Sequence, residues 1–502
     1  MKRTRLVLLA ILVAALALRL AHLWAVWPVL GEDGAEVGMD RWLAMHVAQA
    51  VARGDWLGGW SAEYDSAPGY AYVLAGLLRL AEGDWLVPLL LQCVLGVLAC
   101  VLVFSIGRRL HSTTVGLLAA GLLAGYAPAI FYETLLVKFS LVTVTMAALL
   151  YGVFEAGAQG RLRPALLAGL ALGLLVALRG NAIVLAVPCA WWLARAAPRP
   201  PGWRGVALLL AGAALVLGPL AVRDHVAASR GRATSLWGIH FYIGAQREAD
   251  GTYAPVSGVR GDVVGHIVDA RTLAERAEGR PLRADEVSWY WFHRGVAEIR
   301  ADPGRYLRLQ LGKLRLALAG NEDGSFGDDF DDAVGASWVL RLPLVTFGSI
   351  APLALLGAVL VLRSDGRLLV TLVATYVLSL LPFFVTGRYR LPLVVPMLLL
   401  AAVALDALAA RVRAGRARDL LRPALFLAGS LSVLAAGARD RWTFLAVLIL
   451  GVQAVTLLDD GGASSLDEVA ERAQPIEPLV GNAWPGIEGP MELPQPRPGV
   501  SQ

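Results

Sequence analysis

Long apolar runs, separated by short arginine-rich loops, constrain this chain more than any other feature. Of its 502 residues 57% are hydrophobic and 17% charged, with a mean hydropathy of +0.59. A run of about 18 or more apolar residues has one economical solution, a helix that satisfies its own backbone inside lipid. Hydropathy puts candidate spans at 6–26, 85–106, 114–131, 135–154, 164–178, 182–194, 205–222, 338–362, 368–385, 391–410, 423–438 and 442–458. The expectation is an all-α polytopic membrane protein of about 12 transmembrane helices, with interfacial helices and a mainly helical external segment. The first span, Leu6 to Trp27, follows the basic start "MKRTR" and has no small-residue cleavage site, so it reads as a retained anchor.

Charge sets the expected topology. The net charge of +5 comes almost wholly from arginine, with Lys2, Lys138 and Lys313 the only lysines. With the N-terminus inside, alternate loops are "GRRLH" (107–111), "GRLR" (160–163), "RAAPRPPGWR" (195–204), "RSDGR" (363–367) and "ARVRAGRARDLLR" (410–422), each arginine-rich as cytoplasmic loops are. Basic residues gathered beside helices speak for membrane orientation and against nucleic acid. The chain then divides into 1–222, which holds a first external loop at 27–84; an external segment at 223–337; C-terminal helices at 338–458; and an acidic tail at 459–502, read as a disordered cytoplasmic extension. Cys93, Cys100 and Cys189 all fall in apolar runs, without disulfide or metal spacing, and read as packing residues.

Four cations break the charge rule. Arg388 and Arg390, in "TGRYRLPL", and Arg179, in "LRGN", fall at outward helix ends, and Lys138 lies inside the fourth span. Each taken alone is readable as a cation snorkelling to lipid headgroups. Together, opposite an acidic first loop, they point to a shared anion site, and a phosphate is the anion of choice. An intramembrane ionisable group such as Lys138 is a functional candidate by default.

The first loop reads "GMDRWLAMHVAQAVARGDWLGGWSAEYDSAPGYAYVLAGLLRL". Apolar positions 43, 47, 48 and 51 mark one face of a short interfacial helix, with Asp40 at its start, where a plain N-cap is the competing reading. "DSAPGYAYVL" begins a second apolar segment, with Pro68 at its entry. An acid after the first span, a helix ending in "GDW" and then "APxYxY" resemble the GT-C membrane glycosyltransferases. The closer likeness is to the bacterial branch of glycosyltransferase family 39, related to protein O-mannosyltransferases and lipid A aminoarabinose transferases. It continues through "PAIFYETLLVKFSL" (128–141), "ALRGNAIVLAVP" (177–188), "WGIHFYIGAQREADGTY" (237–253), "DPGRYLRLQLGKLRLALAGNED" (302–323) and "GRYRLPLVVPMLLLAA" (387–402).

The resemblance implies an enzyme with GT-C-type interfacial helices that moves a sugar from a polyprenyl-phosphate carrier to a protein, glycan or lipid acceptor. The reaction would run at the outer face of the cytoplasmic membrane. Asp40 matches the family's first-loop acid, the catalytic base. The aromatic pair expected after it is replaced by Trp42, Leu43 and Ala44, which leaves Asp33 and Glu36 as alternatives. Arg388 and Arg390 match the "RYR" pair assigned to the donor phosphate, with Lys138 and Arg179 as further phosphate ligands. Glu133, Tyr389 and Lys313 are supporting or acceptor-side residues. The scheme calls for no cofactor and no metal. The chemistry asks for the same parts: a carboxylate to take the acceptor proton, and arginine forks for the leaving phosphate.

Within the external segment, 284–303 has a helical pattern, with Asp285 as the expected cap and Pro303 as the stop. Residues 303–318 read as an amphipathic helix, with apolar positions 307, 311, 314 and 318 on one face and Arg305, Arg308, Lys313 and Arg315 elsewhere. "NEDGSFGDDFDD" (321–332) lacks EF-hand spacing and reads as a solvated acidic loop. A transporter or flippase is the alternative class, expected to show broken midplane helices and inverted repeats. An O-antigen polymerase or ligase shares the outward arginines but requires no acid after the first span.

Overall fold

Leucine, alanine and valine in runs without polar punctuation make helices that are apolar all round, and such helices have to be covered by each other or by lipid. The computed structural model divides into two units, Met1–Ala454 and Val455–Gln502. It describes residues 2–30, 39–58, 68–195, 202–230, 235–320 and 330–415, with a few positions between 423 and 430. The expected spans at 423–438 and 442–458, the tail, the acidic run 321–329, Asp33 and Glu36 fall outside these residues or almost wholly so.

The helices in chain order begin with α1 (Lys2–Leu30), then α2 (Met39–Ala52) and α3 (Gly69–Leu80) within the first loop. Next come α4 (Leu86–Leu110), α5 (Thr113–Ala124), α6 (Ala127–Glu133), α7 (Phe139–Gln159) and α8 (Leu162–Leu178). A 3-10 turn at Gly180–Leu185 runs into α9 (Ala186–Arg195), followed by α10 (Gly202–Ser229). The middle segment holds α11 (Trp237–Ala245), α12 (Val263–Glu278), α13 (Ala284–Ala301) and α14 (Pro303–Leu318). The chain continues with α15 (Phe330–Ala336), α16 (Phe347–Leu360) and α17 (Arg367–Leu380), then a 3-10 turn Gly387–Arg390 that feeds α18 (Leu391–Arg413).

This is an all-α polytopic membrane fold. Helices α1, α4, α7, α10 and α18 are long and apolar enough to cross a membrane, and α3, α5, α8, α16 and α17 are shorter apolar helices. The apolar windows of α7 and α18 are 83% and 67% buried, against 22% for α1 and α10, so the first two form the centre and the last two the rim. Small residues set close crossings. Gly173 of α8 faces α10 so tightly that a β-carbon there would stand 2.7 Å from the Ala213 carbonyl oxygen. The middle segment has a separate core, built on Ile243, Val259 and Trp291 and joined by Phe384 from beyond α17.

Three expected elements differ. The 114–131 span is broken between α5 and α6, and the freed backbone is repaired by a bridge to the entry of α16. There Ala127 N–H donates to the Val345 carbonyl at 2.8 Å, and Val345 N–H to the Gly125 carbonyl at 2.9 Å. The 338–362 span becomes helical only at Phe347, because Pro343 and this bridge hold 342–346 extended or turning. The 182–194 span starts as a 3-10 turn.

Gly173→Ala is expected to loosen α8 against α10 by about 1–3 kcal/mol of overpacking, lowering the unfolding temperature in detergent. Gly121→Ala, where a β-carbon meets nothing within 4 Å, is the matched control and is expected to be neutral or slightly stabilising.

Candidate functional site

The polar residues of α1 are the first surprise. Arg19 and His22, one turn apart in the first span, are both fully buried. Arg19 forms a buried ion pair with Glu133, the last residue of α6. It also donates to the carbonyls of Ala15 at 2.9 Å and Ala124 at 3.3 Å, the second being an end-of-helix carbonyl of α5. His22 Nδ1 lies 2.7 Å from Ser337 Oγ, beyond α15. Glu133 is thus taken by Arg19. From α6 the chain leads within a few residues to Lys138 at the N-cap of α7. Lys138 itself is half-buried.

The first-loop motifs are joints. Gly54 takes φ +104, which ends α2, and the Asp55 carboxylate accepts from Leu57 N–H at 3.1 Å, so "GDW" is a tight turn. Tyr72 of "APxYxY" donates to the Trp56 carbonyl at 2.5 Å, and Tyr70 donates to Gln92 of α4 at 3.0 Å. Gln92 in turn donates to the carbonyls of Glu133 at 3.1 Å and Leu135 at 2.7 Å. The motifs therefore tie the first loop to α4 and α6. In α2 the expected face is buried, with Leu43 at 6%, and Val47 and Ala48 at 0% exposure. Asp40 falls within the helix Met39–Ala52.

The "RYR" segment is the 3-10 turn entering α18. Arg179, which follows α8, donates through Nη2 to the Arg388 carbonyl at 2.6 Å, and its guanidinium lies 5.1 Å over the Tyr389 ring. Arg179, Arg388 and Tyr389 are thereby brought together from positions distant in sequence. Arg388 is half-buried. Arg390 is different: it is 2% exposed, bonds the Ala319 carbonyl, and sits 4.3 Å over the Phe347 ring. Tyr389 packs on protein, with Phe384 at 5.5 Å.

Lys313 is fully buried and donates to the carbonyls of Gly244 at 2.7 Å and Leu381 at 2.9 Å, at the C-terminal ends of α11 and α17. Burial pushes its ammonium down to about 7, with Arg305 adding to the shift. The buried line of α14 is Leu309, Lys313 and Ala317, so Lys313 is buried rather than grouped with the surface cations of that helix. Arg305 holds the Ala245 and Gln246 carbonyls at 2.7 and 2.9 Å. Asp285 is not the cap of α13. That position is Arg283, whose N–H goes to Glu286, while Asp285 pairs with the Arg283 guanidinium. Pro303 stops α13 by opening α14, with Asp302 as cap. Among the described residues no His, Cys, Asp or Glu group is arranged to hold a metal, and the three cysteines are free and buried.

Arg19, His22, Gln92 and Arg223, whose Nη2 lies 3.4 Å from the Leu57 carbonyl, were missed by sequence reasoning. A charge inside an apolar run was the available signal for Arg19. Breaking the Arg19–Glu133 pair from one side is expected to cost about 3–5 kcal/mol, while Arg19→Met with Glu133→Leu costs less than either change alone. Thermal unfolding of the three variants in detergent measures it.

Residues 65–222, from just before α3 into α10, match the family model described as dolichyl-phosphate-mannose-protein mannosyltransferase. That stretch contains Glu133, Lys138 and Arg179. No curated protein matches the chain. Similar solved structures include the archaeal oligosaccharyltransferase AglB from Archaeoglobus fulgidus in complex with an inhibitory peptide and a dolichol-phosphate. Identity there is 14% and the TM-score 0.40, over 89% of this chain and 56% of that one. The apo form of an A. fulgidus oligosaccharyltransferase gives 13% and 0.42, over 97% and 62%. The chain spans less than two thirds of the length of either. Over residues 65–222, then, the chain is similar to the dolichyl-phosphate-mannose-protein mannosyltransferases, the GT-C kinship that its motifs resemble.

Proposed function

We propose that this is an integral-membrane glycosyltransferase, moving a hexose or pentose from a polyprenyl-phosphate donor to an acceptor at the external face. The observation that carries the reading is the binding of Arg179 to the backbone of Arg388, which gives one helix entry two arginines from distant parts of the chain. A leaving lipid phosphate needs such a place, at a helix end, with guanidinium forks that take its oxygens in pairs.

In this reading the acceptor hydroxyl attacks the anomeric carbon as its proton passes to the Asp40 carboxylate. The bond from that carbon to the phosphate oxygen breaks, and the electron pair stays on the phosphate, held by Arg388 and Arg179 with Lys138 as a further cation. Arg390 serves the same phosphate from behind, because its stacking on Phe347 and its bond to Ala319 fix the turn on which Arg388 stands. Lys313 and Glu133 act as supports: Lys313 holds the end of α17 and Glu133 the end of α6. The acceptor is a protein hydroxyl, a glycan or a lipid. Loops 27–84 and 223–337 lie outside, and the tail lies in the cytoplasm.

Asp40→Asn is expected to cut turnover about a hundredfold or more while donor still binds. Near-normal transfer by that variant, with loss in Asp33→Asn or Glu36→Gln, moves the base elsewhere. Arg388→Lys keeps the charge and loses the fork, so transfer should drop by about ten- to a hundredfold. Arg390→Lys should lower thermal stability as well as rate. Activity within about twofold of wild type in both lysine variants removes the clamp. For the topology, an impermeant thiol reagent on intact cells should label a cysteine placed at Ser257 and leave one at Ser464 untouched. The reverse pattern inverts the scheme.

A further inference from the structure

The end of α17 remote from the "RYR" turn carries cations that the phosphate-and-base scheme leaves unused. Helices α9 and α17 pack side by side and run in opposite directions. At one end Asn181, in the 3-10 turn before α9, donates to Ser379 Oγ and accepts from the Tyr376 hydroxyl, both at 3.3 Å. At the other end stands Arg367, the first residue of α17. Its guanidinium lies 5.7 Å from the centre of the Trp191 ring and 5.9 Å from that of Trp192. Trp192 is buried edge-on against Phe154, at 5.7 Å, whereas Trp191 is exposed.

Arg195 completes the arrangement. It follows Trp191 by one turn at the end of α9, so the two share a helix face. One exposed indole thus has a guanidinium over its ring and a second one turn along its helix, and both arginines are exposed. Among the described residues neither guanidinium is in a hydrogen bond or an ion pair. Asp365 is exposed two residues before Arg367, yet the guanidinium turns to the indoles instead. Arg367 also adds its charge where the helix dipole is already positive. The place is short of an anion.

The surface that leads away from these cations is apolar. Ile183, Val187 and Trp191 are exposed at spacings of four, and Thr371, Ala374 and Leu378 are exposed on α17. In a membrane fold such faces meet acyl chains, and an indole at their end marks the headgroup level. Cations at that level, above faces that meet acyl chains, select an amphiphile with an anionic head over a free anion or an acidic protein.

We infer that Arg367, Arg195 and Trp191 form a headgroup site for an acidic phospholipid, in the leaflet opposite to the "RYR" turn. The lipid phosphate lies against the two guanidiniums, and the acyl chains lie along the exposed faces of α9 and α17. In the topology proposed above that leaflet is the cytoplasmic one. The site does not depend on the sugar-transfer reading.

The test places the full chain in nanodiscs of equal parts phosphatidylcholine and phosphatidylglycerol and counts, by native mass spectrometry, the lipids that stay bound. Wild type is compared with Arg367→Gln and Arg195→Gln. Arg163→Gln, at an exposed position in the first turn of α8, is the control for diffuse charge. Wild type is expected to retain phosphatidylglycerol about tenfold over phosphatidylcholine. Arg367→Gln and Arg195→Gln should each cut that preference about threefold or more, and Arg163→Gln should leave it. Arg195 is exposed and unpaired, so its variant serves if Arg367→Gln fails to fold. No preference in wild type, a preference untouched by both variants, or an equal loss in all three overturns the site. If the spectra show a dimer that Arg367→Gln dissociates, the face joins two copies of the chain and the lipid site falls.

Discussion

A guanidinium buried halfway along a membrane helix must be neutralised and given acceptors, and this requirement at Arg19 decides how the first half of the chain is arranged. The available carboxylate is Glu133, so α6 has to end against α1. The Ala124 carbonyl, exposed by the break after α5, becomes a further acceptor for the same group. One cation thus compensates a break in a helix and fixes the short helix beyond it. Gln92 reads the same region from α4, through the carbonyls of Glu133 and Leu135, and passes the constraint to Tyr70 and so to the first loop. The start of α7, with Lys138 at its cap, follows from the position of α6.

The same logic recurs at the other end of the molecule, with cations on helix-terminal carbonyls. Lys313 holds the ends of α11 and α17, and Arg305 the end of α11. The last residues of α17 lead directly into the segment that carries Phe384 and the "RYR" turn. The middle segment is therefore fastened to that turn at three levels: the Lys313 ammonium on Leu381, the backbone bond from Val385 to Gly251, and the rings around Phe384. Lys313 of α14 thus meets the segment that leads into the turn through the Leu381 carbonyl.

What sequence could show followed from patterns with a period. Apolar runs gave the long helices, and of the expected face of α2 Leu43, Val47 and Ala48 are buried and Val51 half-buried. Turn chemistry placed the entry at Pro68 and the stop at Pro303. Failures came where a tertiary partner overrode the local pattern. A run of apolar residues does not reveal that Gly125 and Tyr126 will bridge to Val345, and no period marks Arg19 as the partner of Glu133. In α14 the amphipathic reading treated Lys313 as a surface charge, because helix geometry alone cannot know that two carbonyl ends converge on it. At Asp285 the neighbouring Glu286 reached the backbone N–H first.

The two arginines of "RYR" show why a motif does not assign roles one residue at a time. They are two positions apart, so a 3-10 turn sends them to different sides of the chain. Arg390 turns inward, where the face of Phe347 and the Ala319 carbonyl replace its water. Arg388 stays half-buried, with its own carbonyl bound by Arg179. An inward arginine of this kind braces the turn, and on the function proposed for this protein a planar fork needs that bracing if its two bonds are to reach one phosphate at once. The pair therefore divides the work by geometry: one guanidinium sets the position of the backbone, and that backbone sets the reach of the other.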